Sequence, residues 1–252
     1  MNNKHWLALM IGNSRLHWAE FVGDHLQKRW DTEHLSSVEA IEGIFNRRDA
    51  EDTEKGELPL YLASVVPQQT ALWQGYPGLR EITLANIPLQ GLYATLGIDR
   101  ALAVWGAGET YDYPVLVIDA GTALTFTGVC GNKMLVGGAI LPGVRSQFLT
   151  LNQKTAALPD VMLPLQLPSR WAGNTKEAIA SGVIYTLLAS IESFVKDWLS
   201  QFPNSKITLT GGDAVVLHRY LQALKSEISD SIIVDSNLIF WGMRSLIFNH
   251  FV

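Results

Sequence analysis

Residues 116–129 read LVIDAGTALTFTGV, and residues 7–21 read LALMIGNSRLHWAEF. Each is an apolar run, a glycine turn and a second, partly alternating apolar run. That pattern predicts two strands joined by a tight turn. With Gly121 laid on Gly12, 109 positions earlier, Thr122 falls on Asn13 and Asp119 falls on Met10. The two stretches share a shape and differ in chemistry. One keeps a carboxylate two residues before its glycine, and the other carries a thioether there.

Strand and helix signals follow each stretch. After the first, residues 37–47 carry apolar residues at helical spacing (Val38, Ile41, Ile44, Phe45), and 47–57 form a charged surface loop. A buried strand over 58–66 stops at Pro67, a short helix covers 69–76, a strand covers 80–85, and a helix covers 101–109. After the second, strands are expected over 123–129 and 133–137, then a glycine-rich stretch over 137–144 and a helix from Arg145. The proline-bearing segment 156–172 reads as a loop. Next is a long helix, which Asn174 caps with Glu177 at the reciprocal position, and Ile179, Val183, Leu187, Ile191, Phe194 and Trp198 keep one face. Residues 207–221 give strand, double glycine and helix, and a last strand and helix end the chain. A strand-turn-strand start that occurs twice predicts two α/β domains of related topology, over 1–112 and 113–252.

The bulk numbers narrow the function. The chain has 252 residues, 48% hydrophobic and 17% charged, which describes a well-buried globular protein. Its net charge of −5 and the lack of a basic run argue against a nucleic-acid groove. Cys130 is the only cysteine, so neither an internal disulfide nor a thiolate metal site can form. The six histidines lack zinc-enzyme spacing, and His17 and His218 read as ordinary surface or half-buried residues. The N-terminal apolar run is too short for a signal peptide, and no segment is expected to approach a membrane span of about 20 apolar residues. A soluble cytoplasmic protein with no membrane partner is the expectation.

Four places could carry chemistry. Glycine turns let backbone N–H groups and hydroxyls approach phosphate oxygens, so Gly12, Asn13, Ser14 and Thr122 are candidate nucleotide ligands. Each turn could equally be a plain hairpin. Gly211-Gly212 lies between a strand and a helix, where N–H groups and the positive helix end suit a nucleotide. Asp99 and Arg100 lie where a loop becomes a helix. Asp99 is either a helix cap or a carboxylate that takes a proton from a substrate hydroxyl, with Arg100 holding an anion. Gly173-Asn174-Thr175 opens the long helix, so Asn174 is explained by capping while Thr175 could face a ligand.

The set Asp119-x-Gly121-Thr122-Ala123-x-Thr125, Gly97-x-Asp99-Arg100, GGAILPGV, Gly173-Asn174-Thr175 and the TGG at 210–212 resembles the type III pantothenate kinases. The closing LIFWGMRSLI resembles that family's last helix, and LYATLGIDRALAVWGAG resembles its cyanobacterial members. The resemblance runs from Leu7 to about Phe248. It implies two RNase H-like domains of the acetate kinase, sugar kinase, Hsp70 and actin superfamily, with ATP in the cleft. It implies phosphorylation of pantothenate to 4'-phosphopantothenate, the first step toward coenzyme A, with Mg2+, a monovalent cation (K+ or NH4+) and a homodimer. Position by position, Asp99 resembles the base, and Gly97, Ile98 and Arg100 resemble the pantothenate loop. Tyr93 resembles a substrate tyrosine at shorter spacing, and Thr175 a pantothenate contact across the dimer. Asp119 resembles the monovalent-cation ligand and Thr122 an ATP contact. The family's first phosphate motif is Asp-x-Gly-Asn-[Ser/Thr] with a Lys near its end. Here Gly12, Asn13 and Ser14 match, but Met10 replaces the Asp and His17 the Lys. The alternatives are a non-catalytic or regulatory relative of this family and, beyond it, a sugar or acetate kinase of the same superfamily.

Overall fold

The computed structural model describes residues 4–37 and 58–250. The helix expected over 37–47 lies outside those residues apart from Ser37, and the charged loop expected over 47–57 lies wholly outside them.

The first sheet contains β1 (His5–Ile11), β2 (Leu16–Val22), β3 (His25–Thr32), β4 (Leu60–Ser64) and β5 (Leu79–Glu81). Its order is β3-β2-β1-β4-β5. β1 pairs antiparallel with β2 and parallel with β4. A strand flanked on both sides needs apolar residues throughout, and all but the first residue of β1 are buried. β2 alternates, and its partner β3 is a polar edge strand. Leu7, Leu9, Ile11, Leu16, Trp18, Leu60, Leu62 and Trp73 form the core on this sheet. The short helix α1 (Pro67–Leu72) starts on Pro67, whose missing N–H costs nothing at a first helical position. Helix α2 (Ile98–Tyr111) comes after β5.

The second sheet contains β6 (Val115–Ala120), β7 (Ala123–Val129), β8 (Leu135–Pro142), β9 (Lys206–Thr210) and β10 (Ile232–Val234), in the order β10-β9-β6-β7-β8. Read from the other edge, this is the first sheet with every number raised by five. The senses match as well: β6 is antiparallel to β7 and parallel to β9. Helices α3 (Val144–Lys154), α4 (Thr175–Gln201), α5 (Ala214–Ala223) and α6 (Leu238–His250) complete the chain. The apolar stripe of α4 supplies Ile179, Val183, Leu187, Ile191 and Trp198 to the second core. Phe194, expected on that stripe, is partly exposed and stacks on Phe126 at 4.3 Å between centroids.

By contacts the chain falls into two compact units. One is 1–88 with 93–106 and 239–252, and the other is 89–92 with 107–238. The last helix therefore returns to the first unit. There, a Cβ at Gly242 would overlap the Leu102 carbonyl, so α6 and α2 approach backbone to backbone.

Four details differ from the elements that the sequence predicts. β3 is an additional strand, whose core-facing residues are too few to mark it in the sequence. β5 is three residues rather than six. β8 continues through the glycines to Pro142 instead of ending at 137, because Gly137 and Gly138 pair with Gly128 and Thr127 of β7. Finally, α4 is long and apolar enough to cross a membrane, with mean hydropathy 1.6 over its best window, contrary to the expectation that no segment would be. Half of that window is buried against the protein's own core, which accounts for its apolar character.

Candidate active site

At the first glycine turn, the Gly12 N–H donates to the Arg15 carbonyl at 2.9 Å and closes the connection between β1 and β2. Asn13, Ser14 and Arg15 are exposed at its tip. The Gly12 carbonyl accepts from His34 Nε2 at 2.8 Å. Met10 pairs with Ala63 on one side and His17 on the other, and His17 pairs with Asp31. These four positions form one row across the sheet. Met10 is 1% exposed, which explains a thioether in a central strand but offers nothing to a hard cation. His17 Nδ1 lies 2.9 Å from Asp31 Oδ1.

The second turn joins the equivalent pair of strands and is tighter. The Gly121 N–H donates to the Ala123 carbonyl at 3.0 Å. Asp119 pairs with Thr210 and Thr125, and Thr125 with Ile140. Gly211 has φ +93, and a Cβ there would overlap Asp119 Oδ1 and the Ala120 backbone. Glycine is required for both reasons. The Thr122 carbonyl accepts from the Gly143 N–H at 2.9 Å and from Ser146 Oγ at 2.7 Å, so the start of α3 holds the turn in place. The Asp213 N–H donates to the Ala120 carbonyl at 3.0 Å, which ties the Gly211-Gly212 loop to the end of β6. The buried Asp213 carboxylate accepts from Arg145 Nε at 2.9 Å. Neither Arg145 nor Asp213 stands out in the sequence. The pair joins residues far apart in the chain, and its only trace there is an acid directly after the double glycine.

The third group lies at the start of α2. The Ala101 N–H donates to the Gly97 carbonyl at 3.1 Å, so Gly97 precedes the helix and Asp99 lies in its first turn. Asp99 is thus not the residue before the helix, as a simple cap would be. Its Oδ1 accepts the Arg100 N–H at 2.8 Å. A Cβ at Gly97 would overlap that same oxygen, so the glycine leaves room for the carboxylate to fold back over the loop. Burial pushes the Asp99 carboxyl up from its ordinary value, against the opposing pull of the Arg100 N–H and the Arg100 charge. Arg100 is itself buried, and its guanidinium donates to the Tyr93 hydroxyl at 3.2 Å. Tyr93 is 46% exposed. The structure therefore brings Tyr93 beside Arg100, despite the short spacing from Tyr93 to Gly97. Ile98 is buried, so its side chain serves the core.

Asn174 precedes α4 and accepts the Glu177 N–H at 3.0 Å, as expected of a cap. Thr175 is exposed at the first position of the helix, and Gly173 is exposed before it.

A family model described as type III pantothenate kinase matches residues 6–197. A type III pantothenate kinase of Nostoc sp. is 52% identical to this chain, over 96% of it and 94% of the relative's own length. A Baf family transcriptional activator from Campylobacter jejuni has a similar structure, with a TM-score of 0.64 at 23% identity over 96% of this chain and 97% of that one. A ROK family glucokinase from Streptomyces griseus, solved with glucose and AMPPNP, gives 0.54 at 13% identity over 96% and 98%. At those identities the two structures speak to fold alone. Both share with this chain an α/β fold, built here on two five-stranded sheets.

Proposed function

This chain belongs to the type III pantothenate kinase family, and from that premise we propose that it transfers the γ-phosphoryl group of ATP to the terminal hydroxyl of pantothenate, the first step toward coenzyme A. The observation that carries the reading is the group at the start of α2. There Arg100, itself buried, links a half-buried carboxylate to an exposed phenol, bonding Asp99 through its backbone N–H and Tyr93 through its side chain.

Asp99 accepts the hydrogen bond of the pantothenate hydroxyl and orients that oxygen toward the γ-phosphorus. As the new O–P bond forms and the bond to the β-phosphate oxygen breaks, the hydroxyl proton passes to Asp99. A carboxylate is a weak base toward an alcohol, so its main work is orientation. The raised Asp99 carboxyl makes it a somewhat better acceptor than an exposed acid. Arg100 and Tyr93 hold the anionic substrate, with Gly97 and Ile98 shaping the loop beneath it. Gly12, Asn13, Ser14 and Thr122 receive the nucleotide phosphates, and Gly211 and Gly212 the rest of the nucleotide.

Magnesium travels with nucleotide phosphates and needs few protein carboxylates. Among the described residues no three His, Cys, Asp or Glu side chains cluster as a cage. Asp119, the one carboxylate in its row, fits a cation that arrives against phosphate. We assign it to the monovalent ion, K+ or NH4+, whose charge would offset repulsion between Asp119 and the phosphates. Thr175, exposed at the start of α4, would meet pantothenate across a homodimer, so sedimentation of an active monomer at assay concentrations would remove that contact from the account. The setting is the cytoplasm, where ATP is available.

A coupled assay with pantothenate, Mg-ATP and K+ tests the reading. Turnover with formation of phosphopantothenate is expected. No turnover at saturating substrates would leave a binding or regulatory relative instead.

A further inference from the structure

The first glycine turn has lost its carboxylate, yet its row across the sheet is not without charge. Asp31, two strands away from Met10, holds the imidazole of His17 between them. An ionised carboxylate only accepts hydrogen bonds, so the 2.9 Å contact places the ring N–H at Nδ1 and turns Nε2 away from Asp31. Nε2 then lies 3.3 Å from the point where a Cβ on Gly12 would stand. The ring covers the turn in the space the glycine leaves open. It remains 40% exposed, so a ligand at the turn can reach it.

We propose that His17, oriented by Asp31, binds the nucleotide phosphate directly at the first glycine turn, in place of a contact made through a metal ion. The inference rests on the kinase reading above and adds the residue that makes this turn work without an acid. With Nε2 protonated, the imidazolium donates a charge-assisted hydrogen bond to a phosphate oxygen. Basic and acidic groups both stand near it. Arg15 is on the turn itself, and His34 donates to the Gly12 carbonyl, while Asp31 is engaged with the ring. Glu33, on the segment after β3, is the other acid near in sequence and is exposed. Met10, paired with His17 across the strands, adds no charge to the row. His17 is a binding residue in this account and Asp31 a positioning residue.

Calorimetric titration of ADP into the full chain tests this without requiring turnover. His17→Gln should weaken ADP binding roughly 10- to 100-fold, the worth of one charge-assisted hydrogen bond. His17→Lys, which restores a cation that needs no Asp31, should recover most of it. Asp31→Asn should weaken binding less than His17→Gln, and the double variant should be no worse than His17→Gln alone. In steady state, His17→Gln should raise KM for ATP while KM for pantothenate stays put. Thermal melts confirm that each variant is folded. ADP affinity unchanged in folded His17→Gln, a folded His17→Lys that fails to recover it, or a parent that binds no ADP would each overturn the proposal. A parent that binds ADP but does not phosphorylate pantothenate would defeat the kinase reading and leave this one standing on the titrations.

Discussion

Across the first sheet, level with the glycine turn, the residues are Ala63, Met10, His17 and Asp31. Across the second, at the same level, they are Thr210, Asp119, Thr125 and Ile140. The strand order and senses are the same, but the turn is one residue shorter in the second sheet, where the Gly121 N–H reaches the Ala123 carbonyl while the Gly12 N–H reaches the Arg15 carbonyl. The chemistry is opposite. One turn is covered by an imidazole, with an arginine at its tip, and has no acid at its centre. The other centres a carboxylate between two hydroxyl side chains and beside the essential Gly211. A repeated scaffold thus offers one surface suited to anions and another suited to a cation. The difference lies in a few side chains in one row and in a tighter second turn, on strands of the same order and sense.

The largest expected effect lies outside both turns, in a feature that only the helix after the fifth strand carries. Helix α2 opens Ile98-Asp99, whereas α6, which comes after β10, opens Leu238-Ile239 with no acid. Asp99→Asn should lower kcat by about 10²-fold or more while leaving nucleotide binding intact. Stability should move the other way. Because the folded-state carboxyl is raised above its ordinary 3.8, the folded protein holds more protons than the unfolded one between the two values. Stability therefore declines as pH rises through that window, and above it the buried charge is a standing cost. Parent and variant should melt alike at the acid end of the window and diverge above it, with Asp99→Asn the more stable at neutral pH. A full-activity variant, or one that melts well below the parent at neutral pH, would show that Asp99 is structural.

Next comes the acidic turn. Gly211→Ala places a methyl group against Asp119 and at a φ that alanine resists. A loss of about 1–3 kcal/mol is expected, with a lower Tm and a higher KM for ATP. An unchanged Tm would contradict both the overlap with Asp119 and the Ala120 backbone and the strain at this φ.

The smallest effect should come from making the two rows alike. Met10→Asp puts a carboxylate in a position that is 1% exposed and opposite His17. Tm should fall. In a parent that already turns over, the Mg-ATP concentration for half-maximal rate should drop severalfold, because the new acid can support magnesium on the phosphates. A rise instead would mean that an acid at this position does not support magnesium on the phosphates.

Much of this fold is legible because its central strands are continuous apolar runs. β1 and β6 are buried along nearly their whole length, and Gly12 and Gly121 mark where each turns. β3 is not legible. Its sequence HLQKRWDT is mostly polar, since an edge strand owes its existence to pairing with β2 and not to its own burial. The Gly23-Asp24 turn before it is the available signal, with Gly23 at φ +59. The same gap hides His17 and Asp31, whose contact depends on the register of a strand the sequence does not announce. Asp99 and Gly97 can be picked out by type and position, but the reason for the glycine cannot. It depends on where the Asp99 carboxylate folds. Tyr93 is reached by family resemblance, and the bond to Arg100 is what the fold adds.

The central claim is that the acidic turn serves the cation and the basic turn does not. Titrating K+ into the pantothenate-phosphorylation assay at constant ionic strength, for the parent and for Asp119→Asn, tests it most directly. The parent should be activated by K+ over Na+, and Asp119→Asn should be slower and indifferent to which ion is present. Equal parent rates in Na+ and K+, or an Asp119→Asn enzyme still activated by K+, would contradict it.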